Sequence, residues 1–237
     1  MIISHHKEGY YRDQKIIALL DERYCLTTEQ FRVLIFRDYE HNDMCYRRLR
    51  VLSGNAKQKR KRVPRIKRDR LSISEPYFYW PADKRRPDQI EHRIGVNWLY
   101  VWFATWSERT GVDFKFKSEP KDYEPTVRPD GFISFRTANK NHLFFGEFHR
   151  HESGNEFDKL PKYTELFKDI ITQKAQGIRP YWWVELRDQR IPTLTVVTTG
   201  PKKPILDQLV NQNPLGIPYE LLALNELKER CMQWVQP

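Results

Sequence analysis

The chain has 237 residues, 39% hydrophobic and 14% aromatic, with 41 Lys and Arg against 31 Asp and Glu for a formal net charge of +10, a frame that predicts one or two folded domains. Its longest apolar run, residues 98–106 interrupted only by Thr105, is about half of what a membrane-spanning helix needs, and the start MIISHHKEGYY lacks the basic and apolar regions of a secretory signal. Cys25, Cys45 and Cys231 form no CxxC pair, which predicts a reducing, cytoplasmic setting and excludes a cysteine zinc site.

Three short helices open the chain. Residues 13–23 carry Ile16, Ile17, Leu19 and Leu20 at helical spacing, and in Leu26-Thr27-Thr28-Glu29-Gln30 the spacing of Thr27 and Gln30 predicts a capping box ahead of Phe31, Leu34 and Ile35 facing inward. After a polar turn at 38–42, residues 44–52 predict a third helix. Its Arg47, Arg48 and Arg50 are placed to face a duplex while Met44, Leu49 and Leu52 pack behind, and Ser53-Gly54-Asn55 ends it.

The charge is concentrated next. Lys57, Lys59, Arg60, Lys61, Arg62, Arg65, Lys67, Arg68 and Arg70 stand against one acid, Asp69, so this stretch alone carries +8. A localised basic block suits a polyanion, because neutralising phosphates releases condensed counterions. The competing reading is a solvated disordered segment. Strand-like residues follow at 71–74 and 76–80. Three helices and a basic loop between strands is the layout of a winged helix-turn-helix, with 44–52 as recognition helix and 57–70 as wing; a helical hairpin with a flexible loop is the alternative.

The segment PADKRRP (81–87) predicts a linker between an N-terminal domain, 1–80, and a second domain, 88–237. Residues 88–111 read as a helix with Ile90, Ile94, Leu99, Val101, Trp102 and Trp106 in one broad apolar stripe and Gly111 as its stop. Glu108 in its last turn opposes the helix dipole, a local conflict of the kind that functional residues produce. Strands are predicted at 112–117, 126–136, 143–149, 181–187 and 193–198, with helices at 156–173, 204–211 and 219–232. A mixed α/β fold follows, with a core of order αβββαβ.

The central hairpin holds the chemistry. With a six-residue loop over 137–142, Arg136 pairs with Leu143 and Asp130 lies opposite His149, so Asp130, Glu147 and His149 share one face. Two carboxylates on one face suit a hydrated Mg²⁺ or Mn²⁺ ion that orients and acidifies a water. The bland alternative makes Asp130 a turn residue after Pro129, and pairs Glu147 with Arg150 or Arg128.

Taken in order, LTTEQF (26–31), IEHRIGVNW (90–98), VRPDGFISF (127–135) and LFFGEFHRHESGNEFDKLPKY (143–163) resemble the replication-relaxation family of plasmid and mobile-element proteins, over residues 15–163. The resemblance implies a bacterial or phage-encoded, DNA-associated protein in the cytoplasm, binding double-stranded DNA beside a relaxase or replication initiator, with no membrane. The second domain also resembles the PD-(D/E)xK nuclease core. On that likeness Pro129-Asp130 matches the PD, Glu147 the second acid and Glu108 the extra acid of the leading helix. His149 stands where the lysine belongs, and an imidazole near its ordinary pKa of about 6.5 is charged only part of the time at neutral pH. Lys159 or Lys162 on the following helix are substitutes for it, or else ordinary exposed helix lysines. The replication-relaxation family itself carries an arginine-bearing variant at this place, comparable to Arg150.

Two functions fit. The first is a DNA-binding accessory or regulatory protein of replication, relaxation or mobilisation, with the nuclease-like domain as scaffold. The second is a metal-dependent endonuclease or nickase using Asp130, Glu147 and Glu108, with His149 or Lys159 as cationic helper.

Overall fold

The computed structural model of the chain describes residues 5–39, 43–55, 63–138, 140–152, 156–185 and 191–233. It is a mixed α/β protein with seven helices and two sheets among the described residues. Two compact units divide at Thr105–Trp106, inside a helix and downstream of the 81–87 segment; the first also takes in Glu229–Pro237.

The first unit contains α1 (His5–Arg23), β1 (Leu26–Thr27), α2 (Thr28–Ile35), α3 (Asp43–Leu52), β2 (Ile66–Asp69), β3 (Phe78–Pro81) and most of α4 (Ile90–Thr110). The capping box forms as its spacing predicts: Thr27 Oγ1 accepts from the Gln30 amide at 3.2 Å and Gln30 Oε1 accepts from the Thr27 amide at 2.9 Å. The Gln30 side-chain amide also donates to the Ile94 carbonyl at 2.9 Å, tying α2 to α4. Likewise Asn97 on α4 donates to the Arg23 and Cys25 carbonyls, at 3.2 and 2.6 Å. These long-range ties explain why the first unit runs past 81–87 into α4.

The strands run antiparallel in the order β1-β3-β2, with Leu26 opposite Tyr79 and Ile66 opposite Pro81. With the three helices this is the winged helix-turn-helix layout. Three details differ from expectation. Helix α1 begins at His5 instead of residue 13. On α3 it is Cys45, Leu49 and Leu52 that are buried while Met44 is exposed, and Val33 on α2 and Phe36 just after it are buried where Ile35 is half-buried. The wing itself is the β2–β3 loop at 70–77, because residues 71–74 form turns and the basic run ends in strand β2.

The second unit contains the end of α4, β4 (Phe114–Ser118), β5 (Gly131–Thr137), β6 (Lys140–His149), α5 (Lys159–Ala175), β7 (Thr193–Thr198), α6 (Lys203–Asn211), β8 (Tyr219–Ala223) and the start of α7 (Leu224–Met232). Its sheet has the order β4-β5-β6-β7-β8. The first three strands are antiparallel, and β6, β7 and β8 are parallel, joined through α5 and α6. A parallel pair needs such a crossover, and β7 (TLTVVT) is a β-branched strand buried on both faces. From α4 to β7 the expected αβββαβ order is present.

Three sequence expectations are corrected in this unit. The strand expected at 181–187 does not form over its described residues, 181–185, where Trp182–Glu185 make a 3-10 turn. Residues 219–223 extend the sheet as β8 before α7 begins. Finally, Thr137 pairs with Lys140 and Arg136 with Asn141, so the hairpin turn is far tighter than six residues. The shift from the expected register is two residues, an even number, and the side-chain faces are therefore kept.

Helix α5 packs through Leu160, Tyr163, Thr164, Phe167 and Ile170, the i, i+3, i+4 pattern of a helix with one buried face. It covers Phe132, Phe145, Leu194 and Val196 of the sheet. On the opposite sheet face, Trp106 of α4 packs 4.3 Å from the Phe135 ring. A Cβ on Gly131 would stand 2.8 Å from the Phe116 ring, so glycine here lets the chain turn beneath that ring directly after Asp130.

Candidate functional site

Three charged side chains meet at the start of α5. Asp130 precedes β5, Glu147 lies on the α5 face of β6, and Lys159 is the first residue of α5. The Lys159 ammonium donates to Asp130 Oδ1 at 3.3 Å, to Glu147 Oε2, and to the Arg128 carbonyl at 3.3 Å, which uses all three of its hydrogens. Asp130 Oδ2 accepts from the Phe148 amide at 2.8 Å. Glu147 Oε1 accepts from the Tyr163 hydroxyl. Lys159 and Tyr163 are four residues apart, one helical turn, so a single face of α5 grips the same carboxylate from both sides. Pro161 is tolerated between them because the first turn of a helix leaves its amides unpaired.

Burial sets the electrostatics. The Glu147 side chain is 2% exposed, Asp130 9% and Lys159 27%, so the lysine is the member of the cluster nearest to solvent. Burial, and then the charge of Asp130, pushes Glu147 well above the usual carboxylate range, against the pull of Lys159 and Tyr163. Burial on its own would lower the Lys159 ammonium, but Glu147 and Asp130 override it and raise its pKa, keeping it charged. Burial and Glu147 push the Tyr163 hydroxyl well up, which fixes it as a donor. A cluster of desolvated ionisable groups held by specific partners is the usual physical signature of a functional site.

The other expected members fall elsewhere. His149 follows Glu147 along the same face of β6, with its ring edge-to-face against Phe157 at 5.9 Å. Burial and the neighbouring His151 lower its pKa, against Asp158, so it is the uncharged partner at neutral pH and Lys159 the charged one. Glu108 is exposed in the last turn of α4. Among the described residues no three His, Cys, Asp or Glu side chains gather closely enough to hold a metal, so neither Glu108 nor His149 joins Asp130 and Glu147 as a ligand. Arg150 pairs with Glu152 at 2.7 Å and Arg128 with Glu119 at 2.7 Å, and Glu147 has Lys159 and Tyr163 instead of either arginine. Lys162 pairs with Asp158 at 2.8 Å. Sequence reading passes over Tyr163; its signal is its place four residues after Lys159.

The carboxylates suit a hard divalent cation. Asp130 Oδ1 and Glu147 Oε2 already converge on a cation, the ammonium, while their other oxygens are held by Phe148 and Tyr163. Water and phosphate oxygens would complete the shell of Mg²⁺ or Mn²⁺. Beside Lys159 lies a cavity of about 410 Å³ lined by residues 124–128 and Lys162.

In the first unit, Arg47 and Arg50 are exposed on α3. Arg48 is not available in the same way: both its Nε and Nη2 donate to the buried Asp13 carboxylate of α1, and Arg65 stands 4.0 Å from that carboxylate. Lys67 donates to the Lys84 carbonyl at 3.3 Å. Arg68 and Arg70 both lie over the Tyr77 ring, at 4.3 and 3.8 Å, stiffening the base of the wing, where Ile73 is 91% exposed. Lys57, Lys59, Arg60, Lys61 and Arg62 lie outside the described residues. The three cysteines are free and buried, and burial pushes each thiol up to about 12, so none is a nucleophile at neutral pH.

The chain matches no family model and no curated protein. Among solved structures it is similar to the restriction endonuclease FokI bound to DNA, at a TM-score of 0.41 and 11% identity, over 99% of this chain and 46% of that one. The chain thus spans less than half the length of that protein. A likeness of this size is too weak to bear on the reaction, and the geometry of the cluster stands by itself. No helix among the described residues is long and apolar enough to cross a membrane.

Proposed function

We propose that the chain is a metal-dependent DNA endonuclease or nickase of the PD-(D/E)xK type, in which Lys159 from helix α5 replaces the missing strand lysine. The observation that carries this reading is the Lys159 ammonium standing between Asp130 Oδ1 and Glu147 Oε2. In that arrangement Phe148 and Tyr163 fix the two carboxylates by their outer oxygens. Their inner oxygens accept from Lys159, which is placed where it can orient a water or offset charge developing on a phosphate. A bound Mg²⁺ or Mn²⁺ supplies the acidified water and a Lewis acid for the phosphoryl oxygen. Arg47 and Arg50 of α3 and the basic run 57–70 hold the duplex.

A second reading keeps the same DNA grip without cleavage: an accessory or regulatory protein of plasmid or mobile-element replication, relaxation or mobilisation, acting beside a relaxase or replication initiator. What favours it is that Glu147 is almost fully covered and Lys159 fills the cation position, a closed ion pair serving as scaffold. The plasmid setting rests on the resemblance to the replication-relaxation family alone.

Incubating the protein with supercoiled plasmid and Mg²⁺ or Mn²⁺ separates the two readings. The nuclease reading expects nicking that EDTA stops and Asp130→Asn abolishes. Absence of nicking, or nicking that survives Asp130→Asn, leaves the accessory reading.

A further inference from the structure

The face of the sheet that carries Glu147 passes beneath helix α5 at Phe132 and Phe145 and is open farther along as a trough, around Lys115, Arg136 and Asn141. Cross-strand partners share a face, and the register sets out three rows on it: Lys117 beside Phe132 and Phe145, Lys115 beside Ser134 and Leu143, and Arg136 beside Asn141. These rows border a cavity of about 650 Å³ that runs from Phe132 to Arg136, about 14 Å along β5. Helix α5 does not fill it. Its wall is Trp182, which is 58% exposed and packs edge-to-face on Phe132 at 6.4 Å. This exposed indole lines the same cavity as Lys115, Lys117 and Arg136, and a large exposed aromatic carries a solvation cost that a ligand removes.

We propose that this trough binds a single strand of DNA, one unpaired base stacking on Trp182 while its phosphates lie against Lys115, Lys117 and Arg136. The class of ligand rests on the reading of the protein as a DNA nuclease; the site is a different one from the carboxylate cluster. Charge complementarity selects the occupant. Lys115, Lys117 and Arg136 outweigh Asp113 around the cavity, and Lys117, paired with Asp122 at 2.6 Å, can exchange that partner for a phosphate. The Asn141 amide offers a donor and an acceptor to a base edge. Combined stacking and backbone charge is how single strands are held without sequence preference.

Fluorescence anisotropy with a labelled oligothymidylate of about ten nucleotides tests the proposal. It is run in EDTA on the full chain, so a failure of cleavage chemistry leaves the result intact. Trp182→Ala is expected to weaken binding about tenfold or more, with Trp182→Phe recovering most of it. Lys115→Gln with Arg136→Gln is expected to reduce the slope of log affinity against log salt by about 1.4, at about 0.7 per single-strand contact. Circular dichroism confirms that each variant is folded. Unchanged affinity in folded Trp182→Ala and in the double variant overturns the proposal. So does a change of oligomeric state on Trp182→Ala with oligonucleotide binding intact, which assigns the trough to a second copy of the chain.

Discussion

Helix α3 and the carboxylate cluster carry charge in opposite ways. On α3, Arg47 and Arg50 keep their charge in water, where each contact with a partner adds a similar small amount and none depends closely on its neighbour. At the start of α5, Asp130 and Glu147 are almost wholly removed from water, which costs several kcal/mol per ion unless each oxygen finds a partner. There every oxygen does: Phe148, Lys159 and Tyr163 between them serve the pair. Loss at the surface should be graded, then, and loss in the cluster steep and mutually dependent. Arg48, although on α3, belongs with the second kind because Asp13 holds it.

Substitutions can break or sharpen this contrast. Lys159→Met carries the largest effect: it leaves two buried carboxylates without a cation, at a cost of about 3–5 kcal/mol in denaturant unfolding in EDTA. The cost should deepen from pH 5 to pH 8. Burial already holds the Glu147 proton more tightly in the folded chain, loss of the ammonium removes the main pull against it, and a raised carboxylate pKa gives stability that is complete below about pH 4 and is lost as pH rises. A flat pH dependence would erase the distinction between the two regions.

Asp13→Ala comes next, at about 2 kcal/mol, since it strips a charged hydrogen-bond partner from Arg48; a shift in the urea midpoint measures it. Arg47→Ala and Arg50→Ala should leave that midpoint within about 0.5 kcal/mol. Each should instead lower the salt slope of duplex binding by about 1. If Arg48→Ala behaved like these two, the assignment of Arg48 to the interior would fall. The smallest effect is Thr27→Ala, about 1 kcal/mol of stability from the lost helix cap, with duplex affinity unchanged.

Much of this was readable from local pattern. The capping box at Thr27 and Gln30 depends on residues three apart, and the αβββαβ order follows from periodicity; both appear in the structure. Asp130 and Glu147 were legible on one face because strand alternation survives an even shift of register. The hairpin register itself was not, since Thr137-Ala138-Asn139-Lys140 lacks the Gly that usually marks a two-residue turn. Residues 219–223 were misread because YELLALNELKERC runs strand into helix with no breaker between them. Lys159 was visible only as a possible substitute, and Tyr163 not at all. Their role depends on where α5 begins against β6, a long-range placement that neither residue's own neighbourhood encodes.

The central claim is that Lys159, and not His149, is the working cation beside Asp130 and Glu147. Plasmid nicking in Mn²⁺ by His149→Ala and Lys159→Met, each checked for folding at the assay temperature, tests it most directly. The account predicts that Lys159→Met lowers the rate by at least about a hundredfold, a loss of roughly 3 kcal/mol of transition-state stabilisation, while His149→Ala stays within a few-fold of the parent. Full activity in Lys159→Met, or loss confined to His149→Ala, would contradict it.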